Sequence, residues 1–277
     1  MLSFGACGSA PPPVLARLHL RCVRSGCETL RLAGRELLLD EDAYLIVDAA
    51  VEAVPARGAD SPAAVRILVF GREAAALARD LPGAGTGAFF LPTLRAHGDP
   101  VSRQFARVEQ AADAGLPIEA EVVRLMHAML EAELRLHARS HAIATVKPAT
   151  RRELFRRILV AADFIRSRYQ QPLRLDEIAA AACLSRFHLL RLFEQVHGMT
   201  PHAYLAAKRR SVALRLIART RLGLDEIALR CGFGTRSSLF RHLRSSLGAS
   251  GRSIRTAGSP ALAPTPPEES IACSTRV

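Results

Sequence analysis

The sequence predicts an α+β protein: an N-terminal region of antiparallel β structure with accompanying helices, followed by an all-α C-terminal region of two helix-turn-helix subdomains joined by a long helix. Short alternating runs fill the stretch from Leu15 to Phe70. From Ile118 onward the apolar period lengthens to that of helices, and a block of roughly fifty residues then occurs twice.

The β runs are Leu18 to Val23, Glu28 to Leu32, Glu36 to Leu39, Ala43 to Val47 and Val65 to Phe70. Turn-forming residues separate them at Ser25-Gly26, Ala33-Gly34, Asp40 to Asp42 and Pro55 to Pro62, a pattern that predicts an antiparallel meander. Pro-rich stretches, Ala10 to Pro13 and Gly258 to Pro267, predict disordered tails over 1–14 and 257–277. The folded parts are then expected at 15–147, a sensing or dimerisation domain, and at 151–256.

Ile118, Val122, Leu125, Met129, Ala132 and Leu136 alternate spacings of four and three. Such a seam suits a homodimer through 118–137, and it suits equally well packing against the β region of the same chain. A second helix places Phe155, Ile158, Leu159, Ala162, Ile165 and Tyr169 on one stripe with arginines opposite, and ends before Pro172.

The repeat follows. Leu175-Asp176-Glu177-Ile178-Ala179 recurs 49 residues later as Leu224-Asp225-Glu226-Ile227-Ala228. Leu189, Arg191, Phe193 and Gly198 recur at a spacing of 50 as Leu239, Arg241, Leu243 and Gly248, so the second copy has gained one residue in its turn. Each copy reads as a short helix with acidic residues in its first turn, a tight break, and a second helix. The breaks are Cys183-Leu184-Ser185 and Cys231-Gly232-Phe233-Gly234; Ser185 suits an N-cap, and Gly232 can take the backbone angles of a sharp turn. Helix, tight turn, helix is the arrangement whose second helix enters the major groove of DNA.

Periodicity selects the side chains that face outward. Leu189, Leu192 and Phe193 form the inner face of the first reading helix, which leaves Phe187, Leu190, Arg191 and Glu194 outside with Arg186 leading. Leu239, Leu243 and Leu247 do the same in the second, which leaves Ser237, Phe240, Arg241 and Arg244 outside with Arg236 leading. Arginine pairs bidentately with guanine, serine contacts several bases, and Leu190 and Phe240 suit thymine methyl groups. Each arginine has the alternative of a phosphate contact, and Phe240 that of packing inside the domain.

Between the copies, Thr200-Pro201 starts a helix that buries Tyr204, Leu205, Val212, Leu216 and Ile217. A helix of about 19 residues spans roughly 28 Å, compatible with two reading helices about one turn of DNA apart. Lys208, Arg209, Arg210 and Arg244 are the expected phosphate contacts.

Charge supports this reading. Residues 151–256 hold 21 Lys and Arg against 7 Asp and Glu, a balance of +14, while the rest of the chain holds 17 against 19. All of the excess lies in the segment that carries the repeat, as expected of a surface that displaces counterions from phosphates. The six cysteines show no paired spacing, so neither a disulfide framework nor zinc is indicated; Cys183 and Cys231 read as small buried residues at the two turns. No apolar run reaches the roughly 18 residues of a membrane span and no signal-like start is present, which predicts a cytoplasmic location.

At these residues the chain resembles the AraC/XylS family of bacterial transcription regulators. The matching stretches are LDEIAAAACLSRFHLLRLFEQVHGMTPHAYL and LDEIALRCGFGTRSSLFRHLRSSLG, within Leu173 to Arg255. The resemblance implies promoter DNA as partner, contact with RNA polymerase, and commonly an N-terminal domain that senses a small-molecule effector or dimerises. It places base contacts at Phe187, Leu190 and Arg191 and at Arg236, Ser237, Phe240 and Arg241. The chain departs from the family at Arg210, where an apolar residue is usual, at Phe240, where a small polar one is common, and in the closing segment Ala249 to Arg255. The β region is similar, more weakly, to a degenerate cupin-like domain, without the paired histidines that bind metal; His19 and His97 stand alone. Neither a cofactor nor a catalytic constellation is indicated. The alternatives are a non-specific nucleoid-type protein and an enzyme that uses this domain for targeting.

Overall fold

The computed structural model describes residues 4–6, 18–32, 34–48, 51, 53–55, 64–70, 89–145 and 147–247. The chain divides into two compact units, Met1–His141 and Ala142–Val277.

In the first unit the strands are β1 (Phe4–Ala6), β2 (His19–Ser25), β3 (Cys27–Leu32), β4 (Arg35–Asp40), β5 (Ala43–Val47), β6 (Ala53–Pro55), β7 (Ala64–Val69) and β8 (Leu94–Ala96). They form a five-stranded sheet of order β1-β7-β2-β5-β8 and a three-stranded sheet of order β4-β3-β6, with antiparallel pairing throughout. The five expected strands appear within about two residues of their anticipated ends, but they do not make a meander. β2 pairs with β5 and β7, and the β3–β4 hairpin belongs to the other sheet. β1 falls inside the segment expected to be a tail, and pairs Phe4 with Leu68.

Alternation along the strands of the larger sheet feeds two cores. Leu20, Cys22, Tyr44, Ile46 and Leu68 point to one face, where they meet helices α1 (Pro100–Asp113) and α2 (Glu119–Arg139) through Val101, Phe105, Val108, Leu125 and Met129. Val23, Ala43, Leu45, Val47 and Val65 point to the other, against Leu30, Leu32, Leu37 and Leu39 of the smaller sheet. The result is a β-sandwich with a helical layer on its larger sheet. Both helices are also tied down by buried carboxylates. Glu109 of α1 pairs with Arg24 and, at 3.8 Å, with Arg66. Glu133 of α2 is fully buried, pairs with Arg95 and accepts from the Leu91 amide at 2.9 Å.

The 4–3 seam of α2 therefore has an intrachain partner. Leu125 and Met129 lie in the core and Val122 and Ala132 pack against it, so of the two partners that suit the seam, the β region of the same chain or a homodimer through 118–137, the first is the one it packs against. Val123 and Leu134 are exposed on another face of the same helix.

The second unit is helical: α3 (Pro148–Ser167), α4 (Leu175–Ala181), α5 (Arg186–His197), α6 (Pro201–Arg219), α7 (Leu224–Arg230) and α8 (Arg236–Leu247). α3 buries Phe155, Ile158, Leu159, Ala162 and Ile165, the stripe its periodicity predicts, and packs against α4, α5 and α6. The closing segment Ala249 to Arg255 and the C-terminal tail lie outside the described residues. None of the helices among the described residues is long and apolar enough to cross a membrane.

Candidate nucleic-acid interface

The two turns of the repeat are built alike. α4 ends in a pair of hydrogen bonds, Leu184 N to Ala179 O at 2.9 Å and Cys183 N to Ala180 O at 3.0 Å. α7 ends in the same pair, Phe233 N to Ala228 O at 2.9 Å and Gly232 N to Leu229 O at 3.0 Å. This closure requires a left-handed residue just past the helix. Gly232 supplies it with φ +76°, whereas Cys183 supplies it as a non-glycine residue with φ 52°. Cys183 is thus an exposed turn residue, contrary to the buried role expected of it; Cys231 is buried as expected.

The second helix of each copy, α5 or α8, then starts on a hydroxyl cap. Ser185 Oγ accepts from His188 N at 3.3 Å, and Thr235 Oγ1 accepts from Ser238 N at 3.2 Å. The residue gained by the second copy is Gly234, inserted between the helix closure and the Thr235 cap with φ +74°.

The faces separate as periodicity predicts. Leu189, Leu192 and Phe193 of α5 are buried, as are Leu239 and Leu243 of α8. Arg186, Phe187, Arg191, Arg236, Ser237, Arg241 and Arg244 are exposed, while Leu190 and Phe240 are half-buried. Phe187 is 86% exposed, far more than a phenylalanine with a packing role would be. Phe240 carries the Arg236 guanidinium over its ring at 5.3 Å, so this side chain is shared between the outer face and its neighbours. Leu247 lies in α8, but its burial is outside what is described.

α6 is 19 residues long and opens on Thr200, whose Oγ1 accepts from Ala203 N at 3.2 Å, with Pro201 at its first position. Tyr204, Leu205, Val212 and Ile217 are buried along it, and Leu216 is half-buried. Tyr204 also closes an aromatic cluster with Phe193 at 5.4 Å and His197 at 5.0 Å, which fixes α6 to α5.

The basic cluster of α6 is not the open phosphate anchor that its charges suggest. Lys208 is only 7% exposed, with its ammonium 5.1 Å from the centre of the Tyr169 ring. Arg209 spends its guanidinium on the chain itself, Nε donating to Tyr169 O and Nη2 to Gln171 O, both at 2.7 Å. Gly232 approaches the same loop so closely that a Cβ there would lie 2.7 Å from both Tyr169 O and Gln170 O. The loop Tyr169–Gln171 is thus where the connecting helix and the second turn lock together. Arg210 remains half-buried, and burial lowers its proton affinity, as it does that of Arg209. The His242 imidazole, 5.1 Å from the Phe233 ring, is likewise pushed below its ordinary 6.5, first by burial and then by Arg210, Arg241, Arg209 and His202. Among the described residues no group of His, Cys, Asp and Glu is arranged to hold a metal ion.

Comparison with known proteins points to the same segment. A helix-turn-helix domain family matches residues 178–257. The probable transcriptional regulator LumQ of Photobacterium leiognathi is 27% identical over 157 residues, which cover 52% of this chain and 63% of that protein. The right origin-binding protein of Escherichia coli K12 is 45% identical over 74 residues, 26% of this chain and 25% of that one. The chain therefore spans less than two thirds of the length of either relative. Among solved structures, the DNA-binding domain of AdpA, determined in complex with a target DNA, is 29% identical, with a TM-score of 0.35 over 36% of this chain and 90% of that one.

Proposed function

We propose, on the premise that residues 178–257 are a helix-turn-helix domain of the AraC type, that this protein regulates transcription by reading promoter DNA through two recognition helices set in successive major-groove segments. The observation that carries the proposal is the repeated outer face: α5 and α8 each start on a capped, exposed arginine and expose a second arginine five residues on, Arg191 and Arg241. Arg186, Phe187, Leu190 and Arg191 are the base-reading side chains of the first helix, and Arg236, Ser237, Phe240 and Arg241 those of the second. The outer faces differ, Phe187 against Ser237 and Leu190 against Phe240, so the two helices read different half-sites. α6 spans roughly 28 Å, close to the 34 Å turn of B-DNA, and supports both helices reaching one face of the duplex. Arg244 and Arg210 supply phosphate contacts, while Lys208 and Arg209 act from inside by holding the two subdomains in register.

The N-terminal unit is assigned dimerisation through a second copy of the chain. Val123, 66% exposed, and Leu134, 50% exposed, lie with the exposed His127 on a face of α2 away from its buried Leu125 and Met129. The helix has Glu119 and Glu121 in its first turn and His137 and Arg139 in its last, so an antiparallel pair brings acid against base at both ends. Response to a small-molecule effector and contact with RNA polymerase complete the proposed role, and both are read by transcription in vitro from a bound promoter.

The test is selection of duplexes from a random library at near-physiological salt, followed by affinity for the winner and for a scrambled duplex. A specific regulator prefers the winner by on the order of a thousand-fold or more. Equal affinities would replace it with a non-specific, nucleoid-type protein.

A further inference from the structure

The outer faces of α5 and α8 have diverged at most positions, yet each retains a leading arginine and, on the preceding helix, an aspartate within reach of it. Arg186 Nε lies 2.9 Å from Asp176 Oδ1, and Arg236 Nη1 lies 3.9 Å from Asp225 Oδ2. Asp176 and Asp225 are the second residues of α4 and α7, Arg186 and Arg236 the first residues of α5 and α8. The same turn geometry therefore brings the same two charges together twice. All four side chains are more than half exposed, so the pairs contribute little to folding, and the carboxylates stand on the surface that would meet DNA.

We propose that Asp176 and Asp225 are specificity-determining positioning residues: they clamp the leading arginines off the phosphate backbone in the free protein and so widen the margin between preferred and random DNA. The reasoning rests on the DNA-reading role proposed above. A clamped arginine carries no net charge toward the duplex, and to reach a phosphate it must leave its carboxylate while that carboxylate is repelled by the same phosphate. A guanine edge is neutral, and its two acceptors can take two guanidinium donors without that repulsion. The clamp thus costs more on random sequence, where phosphates are what is available, than on a site with guanine in register. The shorter Asp176–Arg186 pair should act more strongly than the looser Asp225–Arg236 pair, whose arginine also rests on Phe240.

The experiment uses the full chain and two probes, the library-selected duplex and its scrambled counterpart, titrated over a range of salt. Asp176→Asn should tighten binding to the scrambled duplex about two- to five-fold, the scale of one exposed ion pair. It should also steepen the salt dependence by roughly one phosphate contact and change the selected duplex less. Three companions separate the clamp from a general charge effect or a role in helix capping. Asp176→Glu should keep the wild-type ratio. Glu177→Gln makes the same charge change one residue away, on a side chain that accepts from the Arg174 amide at 2.7 Å rather than from an arginine side chain, and should give a smaller gain. In an Arg186→Ala background Asp176→Asn should give no more than the small gain of Glu177→Gln. The proposal is overturned if Asp176→Asn tightens both duplexes equally, if Glu177→Gln matches it, or if the full gain survives without Arg186. Equal wild-type affinity for the two duplexes would remove the sequence-reading function itself. The loss or survival of the Asp176→Asn gain in the Arg186→Ala background would then still decide whether the clamp exists.

Discussion

Replacing Gly232 by alanine tests the junction that holds the two reading subdomains in register. The residue sits at φ +76°, a conformation that costs a non-glycine residue about 1 to 2 kcal/mol. Its new Cβ would lie 2.7 Å from Tyr169 O and Gln170 O and 2.9 Å from Gln170 C, all backbone atoms that cannot swing aside. Overpacking of this kind adds about 1 to 3 kcal/mol, so the total loss should be about 2 to 5 kcal/mol. Gly234 provides the comparison: it has φ +74° with nothing within 4 Å of a Cβ, so Gly234→Ala carries the conformational cost alone. Both substitutions restrict the unfolded chain equally, and the difference between them isolates the contact with the Tyr169–Gln171 loop. Hydrogen exchange of the α6 and α8 amides, read by mass spectrometry, reports that difference as a faster opening in Gly232→Ala. Relief of the clash also displaces the second subdomain, so the selected duplex should lose more affinity than the scrambled one. Equal exchange and equal affinities for the two variants would refute the junction.

Arg191→Ala or Arg241→Ala should each cost about 1 to 3 kcal/mol on the selected duplex and relax preference at one base pair, as read by competition with single-base variants; equal losses on scrambled DNA would make that arginine a phosphate anchor. Lys208→Ala should lower the thermal midpoint and leave the salt dependence of DNA binding unchanged, whereas Arg244→Ala should leave the midpoint alone and reduce the salt slope by about one phosphate contact. The pKa of His242 is depressed in the folded protein, so the unfolded chain binds the proton more readily. Its stabilisation is present above the ordinary 6.5 and is lost as pH falls through the lowered value. The thermal midpoint should therefore fall as pH drops below 6.5 in the wild type, and fall less in His242→Gln.

The helical half was legible because its signals are local. Thr200-Pro201 and Ser185 announced helix starts, the stripes of α3 and α6 announced their buried faces, and duplication of the LDEIA block announced two copies of one fold. The β half was legible strand by strand but not as a sheet, since β2 pairs with β5 and β7 across intervals that no local pattern encodes. β1, β6 and β8 are three residues each, too short for alternation to register. α1 went unread although Asp99-Pro100 carries the same cap and proline signature as Thr200-Pro201, with Asp99 Oδ1 accepting from Ser102 N at 2.8 Å. Its buried Gln104 and Glu109 broke the apolar stripe that would have marked it.

Within the candidate interface, charge misled where periodicity would not have. Lys208 lies four residues after Tyr204 and four before Val212, squarely on the buried stripe of α6, and its aliphatic stem follows that stripe inward. Arg209 leaves the expected phosphate surface for a different reason: the carbonyls of Tyr169 and Gln171 need donors, and the guanidinium meets both. The α2 seam left two partners open because a 4–3 repeat specifies a partner surface without saying whose it is, and the larger sheet of the same unit supplies one.

In the proposed function α5 and α8, held by α6, read two half-sites as one rigid body. Inserting about five base pairs between the half-reads of the selected duplex rotates one by half a turn onto the opposite face. At near-physiological salt affinity should fall close to that of the scrambled duplex, and an insertion of about ten base pairs, which restores the face but not the distance, should fail to recover it. Undiminished affinity after the five-base-pair insertion would contradict rigid reading by the two helices.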